Sequence, residues 1–214
     1  MQSNRTDLSE KTREITKLLK ERCSTIPIDD TERIMANIEK FLIRNCSATV
    51  TTQSFLEDAA NTIARTFDFT ELAVALKDMN DGKYRYVAFV GMRGEAISAY
   101  KKLAYSYDEM VSGSKFPRIK LDNFTDFFLG EFTPEREGEL DTFNRPSMLT
   151  KDRQSAEDWR EGDYFCVYMR GSGSEVIGWF ELARTVNGKL PSRQTFKWIE
   201  LIVSVVSMFL YGRE

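Results

Sequence analysis

The sequence predicts an α+β fold in which a sheet is buried on both faces and helices pack against it. Three observations carry that prediction. In Tyr164–Arg170 both alternating sets, Tyr164/Cys166/Tyr168 and Phe165/Val167/Met169, are apolar or aromatic, the pattern of a central strand covered on both sides. A Gly/Ser turn, Gly171–Ser174, leads to a second such strand, Glu175–Arg184, with Val176/Gly178/Phe180/Leu182 set against Ile177/Trp179. The helix pattern at Thr195–Tyr211 carries more apolar surface than packing on one sheet requires.

The other elements follow in order. Asp7-Leu-Ser-Glu10 has the form of a capping box and opens a helix with Leu8, Ile15, Leu18 and Leu19 at helical spacing. Pro27 ends it, and Asp29 or Asp30 caps a second helix, Thr31–Arg44, with Ile34, Ile38, Phe41 and Leu42 on one face. Thr52 or Ser54 opens a third, whose broad stripe (Phe55, Leu56, Ala59, Ala60, Ile63, Ala64, Phe67) suits packing on a sheet. Leu72–Lys77 and Tyr84–Val90 read as a hairpin turning at Asn80-Asp81-Gly82. Residues Glu95–Met110 show helical spacing at Ile97, Tyr100, Leu103, Ala104 and Tyr107, and Phe116–Leu121 reads as a short strand. The cluster Phe124, Phe127, Phe128 and Phe132 predicts a short helix. The long irregular segment Asp122–Asp158 is expected to be an ordered covering segment rather than a disordered one, because four phenylalanines are costly to leave in water.

In the last helix, Phe196, Ile199, Val203, Val206 and Leu210 form one apolar stripe. Trp198, Leu201, Val205 and Met208 form a second, and Lys197, Glu200, Ser204, Ser207 and Tyr211 the polar one. The second apolar stripe predicts a partner helix, either the chain's own or that of a second copy in a homodimer.

Composition narrows the function. The 214 residues are 42% hydrophobic and 29% charged with a net charge of -3, which gives no basic excess for nucleic acid. The amino terminus is polar, and the longest apolar run, Leu201–Leu210, falls short of the about 20 residues a membrane helix needs, so a cytoplasmic chain is expected. Three cysteines (Cys23, Cys46, Cys166) form no CxxC pair, and there is no histidine. That argues against a structural zinc site and removes the commonest general base. No catalytic residue, metal or cofactor is assigned.

Residues Thr51–Tyr211 resemble a GAF domain, a small-molecule sensor module related to PAS domains. The resemblance lies in Trp159 before Gly162-Asp163, the strand Tyr164–Met169, the Ile177-Gly178 step, Pro191, and Ile199-Glu200-Leu201 in the terminal helix. It implies an antiparallel sheet of about six strands, with the third and terminal helices on one face and, on the other, a cover of loops and short helices from 95–158 with the ligand bound beneath it. It also implies a domain at 51–214 preceded by a helical extension at 1–50.

Candidate ligand-binding residues are Phe89, Tyr100, Tyr105, Phe116, Arg118, Phe128 and Trp159. Lys101, Lys102, Lys115, Arg118 and Lys120 read as a solvated basic face, with a grip on a phosphate or carboxylate near the pocket as the alternative. The Asn-Lys, Phe, Asp-Glu set of cyclic-nucleotide-binding relatives is not found in order, and bilin attachment lacks its histidine. The expected function is a non-catalytic sensor or regulatory module, homodimeric through Trp198, Leu201, Val205 and Met208, acting on a downstream signalling protein. A ligand-free scaffold and a thiol-dependent reductase, similar to free methionine sulfoxide reductase, remain as alternatives.

Overall fold

The computed structural model describes residues 13–18, 29–47, 49–112, 115–131 and 138–211. The chain divides into two units, Met1–Lys40 and Phe41–Glu214. In the first, residues 13–18 are helical, while Leu8, Leu19 and Pro27 of the expected first helix and its break lie outside the described residues. Helix α1 (Asp30–Asn45) has residues in both units and starts where Asp29 Oδ1 accepts the Glu32 N–H at 2.9 Å.

The second unit is built on six antiparallel strands: β1 (Phe69–Lys77), β2 (Tyr84–Val90), β3 (Ile119–Lys120), β4 (Thr125–Phe128), β5 (Tyr164–Arg170) and β6 (Val176–Thr185). They lie in the order β2-β1-β6-β5-β4-β3. The doubly apolar strands β5 and β6 therefore sit in the middle, as their side-chain pattern requires.

On one face, α2 (Thr52–Thr66) packs on β1 and β2, and α5 (Arg193–Tyr211) on β5. Thr51 caps α2 by accepting the Ser54 N–H at 3.1 Å. The Phe55 ring stacks on Phe209 of α5 at 3.8 Å and on Phe41 of α1 at 5.4 Å. Arg44 forks onto Asp58, with Nη2–Oδ1 at 2.9 Å and Nε–Oδ2 at 3.2 Å, tying the last turn of α1 to α2.

The other face is tyrosine-rich. Ala73, Ala75, Tyr84, Tyr86, Cys166, Tyr168 and Trp179 of the sheet are buried against Tyr100, Leu103, Tyr105, Met110 and Phe116 of the cover.

Four expectations change. Glu95–Met110 is not one helix: α3 (Gly94–Tyr100) stops, Tyr105 bridges to Tyr84, and a reciprocal Ser106–Glu109 capping box restarts the chain as α4 (Tyr107–Met110). Phe127 and Phe128 of the phenylalanine cluster lie in strand β4 rather than in a helix, since Thr125–Phe128 are all buried and pair with β5; Phe124 precedes the strand and is exposed, and Phe132 is outside the described residues. Segment 95–158 is thus only partly a cover, because it supplies β4 and the edge strand β3, and the strand expected over Phe116–Leu121 shrinks to Ile119–Lys120. Finally, the supposed polar stripe of α5 buries Glu200 and Ser207, which bond the Thr125 hydroxyl (2.8 Å) and the Arg170 N–H (3.3 Å). In its second apolar stripe Leu201 and Met208 are exposed, while Trp198 and Val205 are half-buried.

The glycine of the Ile177-Gly178 step sits where backbones converge. A Cβ there would meet the Ala75 carbonyl oxygen at 2.2 Å. Gly178→Ala is expected to lower stability by about 3 kcal/mol, read as a shift of the urea midpoint; an unchanged midpoint would contradict this close packing.

Candidate functional site

Glu181 is a carboxylate at an inward position of a central strand, on the same face as Trp179 and only 5% exposed. The strand between it and β2 makes its bonding possible. β1 presents Ala73 opposite Glu181 and Ala75 opposite both Trp179 and Tyr86, so the Tyr86 ring passes over small side chains. Its hydroxyl donates to Glu181 Oε2, and the Tyr100 hydroxyl, brought by α3, donates to Oε1 at 2.7 Å. Farther along the cover, the Tyr105 hydroxyl donates to Glu139 Oε1 at 2.7 Å.

These groups surround a cavity of about 60 Å³, partly open to solvent. Its walls are Tyr86, Tyr100, Tyr105, Phe116, Phe143 and Tyr164, with Met110, Leu149, Thr142 and the two carboxylates Glu139 and Glu181. A second cavity of about 30 Å³ adjoins it across Glu181, Tyr100 and Tyr164, and is lined also by Glu71, Trp159 and Arg184.

Burial pushes the Glu181 carboxyl above its ordinary range, and the two tyrosine hydrogen bonds oppose that rise. Burial likewise raises Tyr86, Tyr100 and Tyr164 well above the usual phenol range, so they stay neutral donors. Nothing here matches a nucleophile with its base.

The rim explains the Gly162-Asp163 pair. Gly162 has φ +94, and a Cβ on the facing Gly130 would lie 2.7 Å from the Glu161 carbonyl oxygen. The Asp163 side chain, fully buried, accepts the Gly130 and Arg160 N–H groups at 3.0 and 2.8 Å and pairs with Arg153 at 2.9 Å.

Of the residues expected at the site, Tyr100, Tyr105 and Phe116 line the 60 Å³ cavity and Trp159 the adjoining one. Phe89, Arg118 and Phe128 line neither. Phe89 packs against the Tyr100 ring at 5.8 Å, and Phe128 is buried in a stack on Tyr164 at 4.5 Å. Arg118 holds structure together instead: Nε pairs with Asp126 Oδ2 at 2.8 Å, Nη1 donates to the Met110 carbonyl at 2.8 Å, and Nη2 donates to that of Val111. Lys101, Lys102, Lys115 and Lys120 are exposed. Sequence reasoning missed Glu181, Tyr86, Glu139 and Tyr164. One signal was present, a glutamate between Phe180 and Leu182 in an otherwise apolar strand centre.

A wider groove of about 480 Å³ lies on the opposite face, floored by Phe127, Phe165 and Phe196. Its charges answer one another, with Lys197 2.6 Å from Asp122 and 2.7 Å from Glu200. Burial would raise Asp122, but the hydrogen bonds from Lys197 and the Phe124 N–H bring it down to about 2. The groove therefore leaves no buried charge in want of a ligand.

No family model matches the sequence, and no curated protein matches it. Solved structures do resemble it. The GAF domain of A. aeolicus nlh2 in an inactive state aligns with TM-score 0.54 and 11% identity over 87% of this chain and 100% of that one. The GAF domain of an Acinetobacter phosphoenolpyruvate-protein phosphotransferase gives 0.53 and 8% over 87% and 95%. That of a putative sensor histidine kinase from Pseudomonas syringae pv. tomato gives 0.50 and 11% over 93% and 95%. The fold is that of a GAF domain.

At these identities the likeness establishes the fold alone. Among the described residues of this GAF fold, no helix is long and apolar enough to cross a membrane, and no group of three or more His, Cys, Asp or Glu is placed to hold a metal ion. Cys166 is fully buried, and burial pushes its thiol well up; Cys46 is exposed, and Cys23 lies outside the described residues. In the native protein Cys46 is expected to alkylate with iodoacetamide at least about tenfold faster than Cys166, because the buried thiol is neither ionised nor reachable. Comparable rates by peptide mass spectrometry would reopen the reductase reading.

Proposed function

We propose that this chain is a non-catalytic GAF-type sensor or regulatory module of the cytoplasm. Its ligand binds between the cover and the sheet at Glu181, and the signal passes through the terminal helices to a second copy and a downstream protein. The observation that carries the reading is a buried carboxylate facing a cavity lined by tyrosines. A few convergent polar groups amid aromatic walls are the usual form of a small-molecule pocket. Exposure of Leu201 (48%) and Met208 (75%) on α5 supports the homodimer, in which a partner helix covers this face. Binding that shifts how the cover seats on the sheet would bias that packing.

A scaffold that binds nothing is the second reading, favoured by the small volume of about 60 Å³. Native mass spectrometry of protein purified from its own host separates the two. The sensor reading expects a dimer mass that includes a retained small molecule, lost on Glu181→Gln. A ligand-free dimer from the host, unaltered by that substitution, supports the scaffold, and a monomer refutes the dimer. Leu201→Glu with Met208→Glu should convert the dimer to a folded monomer.

A further inference from the structure

We propose that the cavity at Glu181 takes a small organic cation, an ammonium group of only a few heavy atoms or the ammonium end of a longer ligand. This deepens the sensor reading and rests on it.

The first ground is charge. Two carboxylates, Glu139 and Glu181, line the cavity, and no lysine or arginine is among its lining residues. Buried charges in proteins are ordinarily paired. Glu181 is 5% exposed, yet no ion pair is made to it among the described residues; its partners are the hydroxyls of Tyr86 and Tyr100. Of the nearby cations, Arg118 pairs with Asp126 and Arg145 with Glu161 at 2.6 Å, while Arg184 lines the adjoining cavity and makes no ion pair with Glu181. An anion would meet two carboxylates among the cavity's lining residues and no lysine or arginine there. A cation supplies the counter-charge that Glu181 lacks.

The second ground is the shape and chemistry of the walls. The rings of Tyr86 and Tyr100 lie 4.6 Å apart at 68°, and those of Tyr86 and Tyr105 6.2 Å apart at 86°. Tyrosine rings steeply inclined to a shared neighbour and set beside carboxylates form the kind of enclosure that attracts ammonium groups. A hard metal ion is a poorer fit, since calcium takes about 6–8 oxygen ligands and the site supplies two carboxylates.

The third ground is size. At about 60 Å³ the cavity exceeds the volume of one water. It is well under the roughly 150 Å³ that admits benzene. A methylated or primary ammonium head fits; a nucleotide base does not.

The test uses the full chain with ring-¹³C tyrosine and follows its NMR signals during titration with methylammonium chloride. Sodium acetate and acetamide serve as size-matched anionic and neutral probes, and sodium chloride holds ionic strength constant. Methylammonium should shift Tyr86 and Tyr100 saturably, with Kd roughly millimolar for so few atoms, and acetate should not. Glu181→Gln should weaken binding at least about tenfold, and Glu139→Gln provides a second test should the first variant fold poorly. If acetate or acetamide shifts these tyrosines while methylammonium does not, the cation assignment is overturned and the ligand cavity stands. If no probe shifts them, both fall.

Discussion

Arg118→Ala is expected to lower the unfolding free energy by about 3–5 kcal/mol, because it strands a buried carboxylate. The Arg118 and Asp126 side chains are only 18% and 6% exposed and lie 2.8 Å apart. Asp126 also accepts the Tyr168 hydroxyl at 2.9 Å, so this one carboxylate ties β4 to Arg118 and to the central strand β5. Arg118 at the same time closes the carbonyls of Met110 and Val111 at the end of α4. Its loss should therefore release the α3–α4 part of the cover before the rest of the sheet, seen as faster amide exchange across 94–112 at low urea. Removing both charges, in Arg118→Met with Asp126→Asn, should recover part of the loss. A single-variant cost under about 1 kcal/mol would place the pair among solvated surface bridges.

The second large effect is a dependence on pH. Burial raises the Glu181 carboxyl above its usual value of 4.5, so the folded state holds that proton more tightly than the unfolded one. Between 4.5 and the raised folded value the native chain binds more protons, and stability must fall as pH rises through that window. The slope reaches at most about 1.4 kcal/mol per pH unit. Glu181→Gln keeps the shape and removes the titration. The stability of the wild type relative to this variant should thus decline as pH rises above 4.5 and level off beyond the folded value. Urea unfolding of both proteins across that range decides it. A difference that stays flat, or that grows with pH, would mean that Glu181 is ionised and adequately solvated in the fold.

The frame of this protein was largely legible in its sequence. Strand β5 was marked to the residue by two apolar alternations, and α2 by its stripe, because these elements bury continuous hydrophobic surface and little else competes for it. The cover was less legible. Tyr100, Leu103, Ala104 and Tyr107 satisfy helical spacing, but the bridge from Tyr105 to Tyr84 and the Ser106 cap divide the segment, and the bridge depends on tertiary placement. The aromatic run at Phe127–Phe128 reads equally as helix or strand until β5 is present to pair with it.

For the site, part of the aromatic wall was findable and the carboxylates were not. Tyr100 and Phe116 were candidates because planar side chains line pockets. Glu181 and Tyr86 become a pair only through the two alanines of β1 that lie between their strands, which no spacing in either strand reveals. Arg118 misled for a related reason. A basic residue beside aromatics suggests an anion site, whereas its partner, Asp126, comes from the neighbouring strand.

The central claim is that the space between cover and sheet at Glu181 is a binding site rather than an imperfection of packing. Hydrogen exchange measured with and without the low-molecular-mass extract of the host tests it without knowing the ligand. The account predicts slower exchange confined to 94–112, 138–162 and the centre of β6, and abolished by Glu181→Gln. No protection, or protection only around Phe196 and Lys197 in the groove on the opposite face, would contradict it.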